Sequence, residues 1–246
     1  MKPNSLGIAL GLLGLVSTTV HAGSKNNGNN GSFLVDPSPE GPWFRATLTA
    51  GFESLHVYRG VDSSSGNPIA WEAIDLDFFD HVHLNLFNGN SFNGEYGELT
   101  PSAYLYHDFG PYTASAGMIW YHFPGEDGID SEEYFFNLTR DLSAGFATSA
   151  WFSYNARSNG WYHEVKLSHS LELSKSTTLV SYGVLGYSEN YRTGGNGLDN
   201  LTFAVGLPVT LAEGLTVKPL AGYSFALDAL DTDNEAWVGL NLSYTF

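Results

Sequence analysis

The last eleven residues of the chain, AWVGLNLSYTF, alternate between two kinds of side chain. Every second position from Ala236 to Phe246 is apolar, and most positions between them are small or polar. A period of two is that of a β-strand, whose successive side chains point to opposite faces. The segment is therefore predicted to be a strand with one apolar face, which suits either a soluble sheet with one wet face or a wall between lipid and water.

Twelve segments of the chain have this strand-like character. Most are longer than the roughly 5–6 residues typical of soluble strands, and they approach the roughly 9–11 residues that a tilted strand needs to cross a bilayer. The cleanest alternation is at 161–173. The predicted strands are 43–57, 68–78, 82–88, 98–109, 112–123, 133–140, 145–155, 161–173, 177–187, 200–211, 215–226 and 235–246.

The connections between these segments alternate in length. Short turns are expected at 79–81, 110–111, 141–144, 174–176 and 212–214, and longer loops such as 61–67, 89–97, 124–132, 188–199 and 227–234 lie between them. Short periplasmic turns and longer extracellular loops are typical of outer-membrane barrels. The pattern predicts an all-β fold, a transmembrane antiparallel up-and-down β-barrel of about 12 strands in the bacterial outer membrane, with both termini in the periplasm.

The first 22 residues have the features of a secretory signal peptide: a positive Lys2, an apolar stretch and a small-x-small site before Gly23. Residues 23–42 are rich in Gly, Asn, Ser and Pro, and we expect a flexible periplasmic tail. The barrel is predicted to occupy 43–246. The chain has no cysteine and a formal net charge of −16. We expect no nucleic-acid partner, because a surface with this charge repels nucleic acid.

The C-terminus resembles that of outer-membrane proteins, which end on an aromatic residue. Phe246 and Tyr244 are in step on the apolar face, and the resemblance implies that the barrel-assembly machinery reads them as an assembly signal. Aromatic residues near both ends of the predicted strands also suit the two interfaces of a bilayer. Outer-membrane lipid and the assembly machinery are therefore the expected partners.

Charged side chains are expected to face the lumen, because Lys or Arg on the lipid face costs about 2–4 kcal/mol at the midplane. Two interpretations are open: the charges line a narrow water path that favours cations, or they pair across the lumen and plug it. The predicted pore-lining residues are Arg45, Glu53, Asp75, Asp77, Glu164, Lys166, Glu172 and Lys218, and Asp108, Glu133 and Glu235 share their alternation class.

Two loops are dense in carboxylates, and such groups can chelate calcium through oxygen ligands. Their spacing is not that of an EF-hand, and a solvated acidic rim is the favoured explanation. No other cofactor and no metal is expected. The candidate cation-binding residues are Asp228, Asp231, Asp233 and Glu235 in one loop and Glu126, Asp127 and Asp130 in the other.

The histidines do not indicate catalysis. His81 and His83 share one strand face but are better explained as a turn residue and a lumen residue. His163 and His169 lie among serines, but neighbours in a strand point to opposite faces, so Ser168 cannot meet His169 directly. On this phase both histidines face lipid, an unusual position for an imidazole. We expect no enzymatic activity.

Three stretches resemble the TorF family of porin-like proteins. They are VYRGVDSSSGNP (57–68), AGMIWYHFPGE (116–126) and EEYFFNL (132–138). Where that family tends to have a Gly-x-Trp-rich third strand, this chain has HLNLFNGNSF. The resemblance implies an outer-membrane porin-like barrel and names no solute.

These features predict a porin-like channel for the passive diffusion of small hydrophilic solutes, mildly cation-preferring. A plugged structural or adhesion-type barrel is the first alternative, and an outer-membrane barrel enzyme of lipase type is the second. A soluble secreted β-sandwich is the third, but it gives no reason for the connections to alternate in length.

Overall fold

The computed structural model describes residues 43–125 and 129–246. The predicted signal peptide (1–22) and tail (23–42) lie outside the described residues, as do Glu126 and Asp127 of the acidic rim. In the described part of the chain no helix is long and apolar enough to cross a membrane.

The described residues form β-strands joined by turns and loops. Twelve long strands form the barrel wall, and three short strands lie in the first loop (β2 and β3) and directly after β12 (β13). The strands are β1 (Phe44–Glu53), β2 (Val57–Tyr58), β3 (Val61–Asp62), β4 (Ile69–Phe78), β5 (Val82–Ser91), β6 (Gly97–Phe109), β7 (Tyr112–Tyr121), β8 (Ser131–Asp141), β9 (Phe146–Asn155), β10 (Gly160–Ser174), β11 (Thr177–Arg192), β12 (Gly195–Gly206), β13 (Val209–Ala212), β14 (Leu215–Ala226) and β15 (Glu235–Thr245).

All strand pairings of the wall are antiparallel, and β1 pairs with both β4 and β15. Because β10 also pairs with both β9 and β11, the sheet closes into a barrel. β12 and β13 together form one of the twelve segments of the barrel wall, each of which we call a stave. This stave is interrupted at Leu207 and Pro208, because proline has no N–H to donate to the ladder. The prediction of a twelve-stranded antiparallel barrel is confirmed.

Exposure alternates along each stave. On β15, Trp237 and Asn241 are buried, whereas Val238, Leu240 and Leu242 are about half exposed. The outer face carries most of the large exposed hydrophobic side chains, and the inner face carries polar and aromatic ones. An apolar exterior of this extent is not stable against water, so lipid must cover it.

The outward-facing histidines have aromatic neighbours. His169 stacks on Phe146, with ring centroids 4.2 Å apart, and His163 stacks on Trp161 at 6.2 Å and on Tyr187 at 6.3 Å. These contacts give the flat imidazole rings an apolar environment on the lipid face. They explain the unusual position that the sequence predicted for both residues.

The expectation that charge is confined to the inner face is wrong at several positions. Glu72, Glu132 and Arg140 face outward and are exposed. Each has a partner that lowers the cost of this position: Asn88 donates to Glu72 at 2.9 Å, Tyr134 donates to Glu132 at 2.8 Å, and the Arg140 guanidinium lies 5.4 Å from the ring centroid of Tyr112.

The predicted long loop at 188–199 is also wrong. β11 continues to Arg192 and β12 begins at Gly195, so the two strands extend beyond the expected loop boundary and meet at a tight turn. The Gly- and Asn-rich sequence resembles a loop, but Gly195 and Gly197 adopt positive φ angles within the strand, where register shifts interrupt the regular ladder.

The C-terminus completes the barrel seam. The Phe246 N–H donates to the Ala46 carbonyl at 2.9 Å, and the ring of Phe246 packs edge-on against Tyr244 at 4.7 Å. Phe246 remains 67% exposed, so its side chain adds little burial to the isolated barrel.

We expect Phe246→Ala to lower the amount of folded barrel in cells while signal-peptide processing continues, because it removes an interfacial aromatic ring and the predicted assembly signal together. Heat-modifiable gel mobility measures the folded fraction. Phe79→Ala is the matched control, since Phe79 is 64% exposed in a turn at the same end of the barrel. Equal folded amounts in the two variants would contradict a special role for the C-terminus.

Candidate functional site

The first loop folds into the barrel as a small hairpin, β2–β3, which we call the lumen hairpin (residues 57–62). Its two-residue tip is Arg59-Gly60, with φ angles of 47° and 80°, as in the turns that match the twist of paired strands. The Asp62 carboxylate accepts hydrogen bonds from the Ser64 N–H at 2.9 Å, from its hydroxyl at 2.6 Å and from the Gly66 N–H. These bonds fix the base of the hairpin.

The tip of the lumen hairpin reaches the opposite wall. A Cβ atom at Gly60 would collide with the side chains of Asn200 and Leu230, so only glycine permits this approach. The Tyr58 and Tyr121 hydroxyls are 3.1 Å apart, and both tyrosines are fully buried. The hairpin therefore crosses the lumen and narrows it.

A buried ion pair holds the tip. The Arg59 guanidinium donates to both carboxylate oxygens of Glu133 on β8, at 2.9 and 2.7 Å, and to the Tyr191 hydroxyl at 2.6 Å. The two charged side chains are 4% and 0% exposed. The guanidinium carbon also lies 4.0 Å from the ring centroid of Tyr162. Bidentate pairing is the strongest geometry between arginine and a carboxylate, and it fixes orientation as well as distance.

A second arginine supports the first. The Arg192 guanidinium donates to the Arg59 carbonyl at 3.0 Å and to Asp199 at 3.1 Å. The lumen hairpin is thus fixed through both the side chain and the backbone of Arg59. The sequence pattern gave no sign of this pairing, although Glu133 was already in the inward alternation class.

The predicted pore-lining residues on the β1–β4 wall form a connected polar cluster. Arg45 lies 3.6 Å from Asp77. His83 on β5 contacts Asp77 at 2.8 Å and Asp75 at 3.3 Å. The carboxylates of this wall therefore have partners beside them rather than across the lumen.

The other predicted charges lie around the middle of the lumen and at one end of it. The Lys166 ammonium lies 4.7 Å from the ring centroid of Tyr182, and Glu164 is on the same inward face of β10. Within 43–125 and 129–246 neither residue makes a salt bridge, so for Glu164 and Lys166 the pairing across the lumen, one of the two open interpretations, is not observed. Glu172 lies at the exposed turn end of β10.

A cavity of about 110 Å³ lies in the lumen beside the base of the hairpin. Glu53, Asp75 and Lys218, three of the predicted pore-lining residues, contribute to its wall. His56, which precedes the hairpin, also lines the cavity, and its Nδ1 lies 3.2 Å from Glu53.

Aromatic side chains form a row along the inner face of the barrel, from His83 on β5 to Trp151 on β9. His83 stacks on Tyr104 at 4.5 Å, Tyr104 meets Phe135 edge-on at 5.8 Å, and Phe135 stacks on Trp151 at 4.1 Å. This row was not predicted, because aromatic residues near strand ends also suit the membrane interfaces. The available signal was that Tyr104, Phe135 and Trp151 share the alternation class of the inward charges.

The part of the acidic rim that the structure describes does not form a chelating group. Among the described residues no three His, Asp or Glu side chains are arranged to hold a metal ion, and Asp228, Asp231 and Asp233 are exposed and Glu235 is half-buried. The pKa of Asp130 is lowered: slight burial raises it, but the hydrogen bonds from His122 Nδ1, at 2.6 Å, and from the Phe123 N–H outweigh that effect. The calcium site stays a prediction, because Glu126 and Asp127 lie outside the described residues.

Solved structures with this fold are outer-membrane porins. The KdgM porin aligns with a TM-score of 0.59 at 9% identity, over 81% of this chain and 99% of that one. The NanC porin aligns with a TM-score of 0.58 at 11% identity, over 81% and 98%. A complex of the KdgM porin with disordered oligogalacturonate aligns with a TM-score of 0.58 at 9% identity, over 82% and 99%.

No protein-family model matches the chain, and no curated protein matches it. The resemblance to the TorF family is therefore not confirmed. The porin-type barrel and its apolar exterior confirm the predicted fold and its place in the bacterial outer membrane.

We expect Glu133→Gln to free the lumen hairpin. Removing one partner of a buried ion pair costs about 3–5 kcal/mol, so the amides of residues 57–62 should exchange hydrogen about 100-fold faster or more in the folded barrel. Hydrogen exchange followed by mass spectrometry measures this change. Glu132→Gln is the matched control, because it removes the same charge one residue away on the outer face. Unchanged protection in Glu133→Gln would show that other contacts hold the hairpin.

Proposed function

We propose that the chain is a porin-like channel through which small hydrophilic solutes diffuse passively, with a mild preference for cations. The observation that carries this proposal is the lumen itself: a closed twelve-stave barrel lined by charged and polar side chains and narrowed at one level by a fixed hairpin. A barrel of eight strands is filled by its side chains, whereas 16–18 strands leave a wide channel. Twelve strands with one inward hairpin suit a passage for small solutes.

The cation preference rests on the balance of charge. Glu53, Asp75, Asp77, Glu164 and Glu172 face the lumen against Arg45, Lys166 and Lys218. Acidic side chains around a pore raise the local concentration of cations. The acids of the rim, Asp228, Asp231 and Asp233 among them, add to the same field at one mouth.

A plugged structural or adhesion-type barrel is the second candidate. The observation in its favour is the hydrogen-bonded contact between hairpin and wall, above all the pair Arg59–Glu133 and the contact of Tyr58 with Tyr121. Conductance separates the two candidates. No observation in the described residues favours the lipase-like alternative, since His169 stacks on Phe146 at the outer face and the Ser168 hydroxyl donates to the Ala147 carbonyl.

The partners follow from the same proposal. Outer-membrane lipid would cover the apolar exterior, and the barrel-assembly machinery would recognise the C-terminal Tyr244 and Phe246. Membership of the TorF family is part of this proposal; the stretch that suggested it most clearly, 57–68, forms the whole lumen hairpin and the loop that follows it.

We expect the refolded barrel to conduct in planar bilayers with a reversal potential that favours cations. Changing Glu164 and Glu172 to Gln together should shift that potential toward anions, more strongly at 0.1 M salt, where the Debye length is about 10 Å, than at 1 M, where it is about 3 Å. Glu72→Gln, which removes an outward charge, is the control. An anion-selective wild type would contradict the electrostatic argument, and no conductance at any voltage would favour the plugged barrel.

A further inference from the structure

We infer that the cavity beside the lumen hairpin is a subsite for an uncharged pyranose sugar unit. Its role in permeation rests on the proposed channel function, but binding there does not. The inference combines three features of one cavity: two tryptophan rings held flat against the wall, several buried polar atoms that lack partners, and charges of both signs.

The two tryptophans are held flat by glycines on the neighbouring strands. Trp71 pairs with Gly51, and Trp237 pairs with Gly222. A Cβ atom at Gly51 would collide with the indole ring of Trp71, and a Cβ atom at Gly222 would collide with that of Trp237. Each indole ring therefore lies directly over the backbone of a glycine on the neighbouring strand. Because both tryptophans also line the cavity, each has a ring face available to a solute.

Flat aromatic faces suit sugars. A pyranose ring has a face of C–H groups, and an aromatic ring carries negative charge on its face and attracts them. Phe87 extends the same wall, with its ring centroid 5.6 Å from Trp71 and 5.9 Å from His56, on which it stacks. The wall is therefore apolar in area but is bordered by polar groups.

Three of those polar groups are buried and have no hydrogen-bond partner among the described residues: Nε2 of His56, Nε1 of Trp71 and Oδ1 of Asn241. All three residues line this cavity, and His56 and Asn241 are only 6% and 3% exposed. Buried polar atoms are nearly always satisfied. Sugar hydroxyls both donate and accept, so they can serve an indole N–H and an amide oxygen at neighbouring positions.

The charges of the cavity exclude a strongly anionic sugar and do not require a cationic one. Glu53 and Asp75 each accept hydrogen bonds well from hydroxyl groups, and Lys218 donates to them. An acidic sugar would place its carboxylate beside Glu53 or Asp75, with Lys218 as the opposing cation in this wall. An uncharged ring avoids that repulsion.

The size agrees with one ring. One water needs about 10–15 Å³ of cavity, so 110 Å³ holds roughly 7–11 waters. Displacing them with a single pyranose unit would leave the rest of a longer saccharide in the open lumen. The aromatic row that ends at Trp151 is a separate surface, since Trp151 does not line this cavity.

The test uses the folded full-length barrel with maltotriose as the neutral probe and trigalacturonate as the anionic one. Maltotriose should change the tryptophan fluorescence in detergent and interrupt the current in a planar bilayer. Trp237→Ala should weaken binding about tenfold, and Asn241→Ala should weaken it severalfold.

Trp151→Ala is the matched control and should bind as the wild type does, because it removes a lumen tryptophan outside the cavity. Heat-modifiable mobility checks that each variant folds, and Trp237→Phe, which keeps a stacking face, should restore most of the affinity.

Several results would overturn the inference. The first is that maltotriose changes neither the fluorescence nor the current. The second is that Trp237→Ala and Asn241→Ala bind maltotriose as tightly as the wild type, or that Trp151→Ala loses as much affinity as Trp237→Ala. The third is that trigalacturonate binds more tightly than maltotriose. A barrel that conducts but ignores maltotriose would overturn the subsite and leave the channel standing. A barrel that binds maltotriose but never conducts would overturn the channel and leave the subsite standing.

Discussion

The pairing of β1 with β15 is the contact on which the rest of the structure depends. In the hydrocarbon interior of a membrane no water is available to an unpaired N–H or C=O group, and each such group costs several kcal/mol. The register from Thr47–Thr245 to Glu53–Gly239 satisfies both edges of the sheet at once. Without this seam the remaining strand pairs of the wall would still form, but the unpaired edges of β1 and β15 would face lipid.

Closure then dictates the chemistry of the two faces. Because side chains alternate strictly, each stave must be apolar outward and is free to be polar inward. Outward exceptions such as Glu72 have a neighbouring partner. On the inner face the constraint is weaker, and the chain uses that freedom for a connected wall cluster around Asp77 and for an aromatic row from His83 to Trp151. The barrel is therefore a closed frame, and its inward residues contribute little to its closure.

The staves were predictable from sequence because their signal is local: a period of two needs only neighbouring residues. The arrangement of the first loop was not, because its determinants are distant in the chain. Arg59 meets Glu133 and Tyr191, and Gly60 meets Asn200, and no local pattern links these positions. The prediction of a long loop at 188–199 was wrong for a different reason. Glycines such as Gly195 and Gly197 are typical of loops, but here they occupy strand positions with positive φ angles. The inward aromatic row could have been predicted, because Tyr104 and Phe135 share the alternation phase of the lumen charges. Aromatic residues suit membrane interfaces equally well, so this phase alone did not decide their position.

The lumen hairpin connects the contacts that cross the lumen with the cavity beside them. Its tip is fixed by the buried pair Arg59–Glu133, and buried ion pairs add little net stability because desolvation offsets their attraction. What such a pair does supply is a unique position, since a bidentate contact tolerates few alternatives. At the base of the same hairpin, the His56 N–H donates to the Ser64 hydroxyl at 3.0 Å, and the imidazole lines the cavity. One loop therefore both crosses the lumen and forms one wall of the cavity, so a change that loosens the tip also affects the imidazole that lines the cavity.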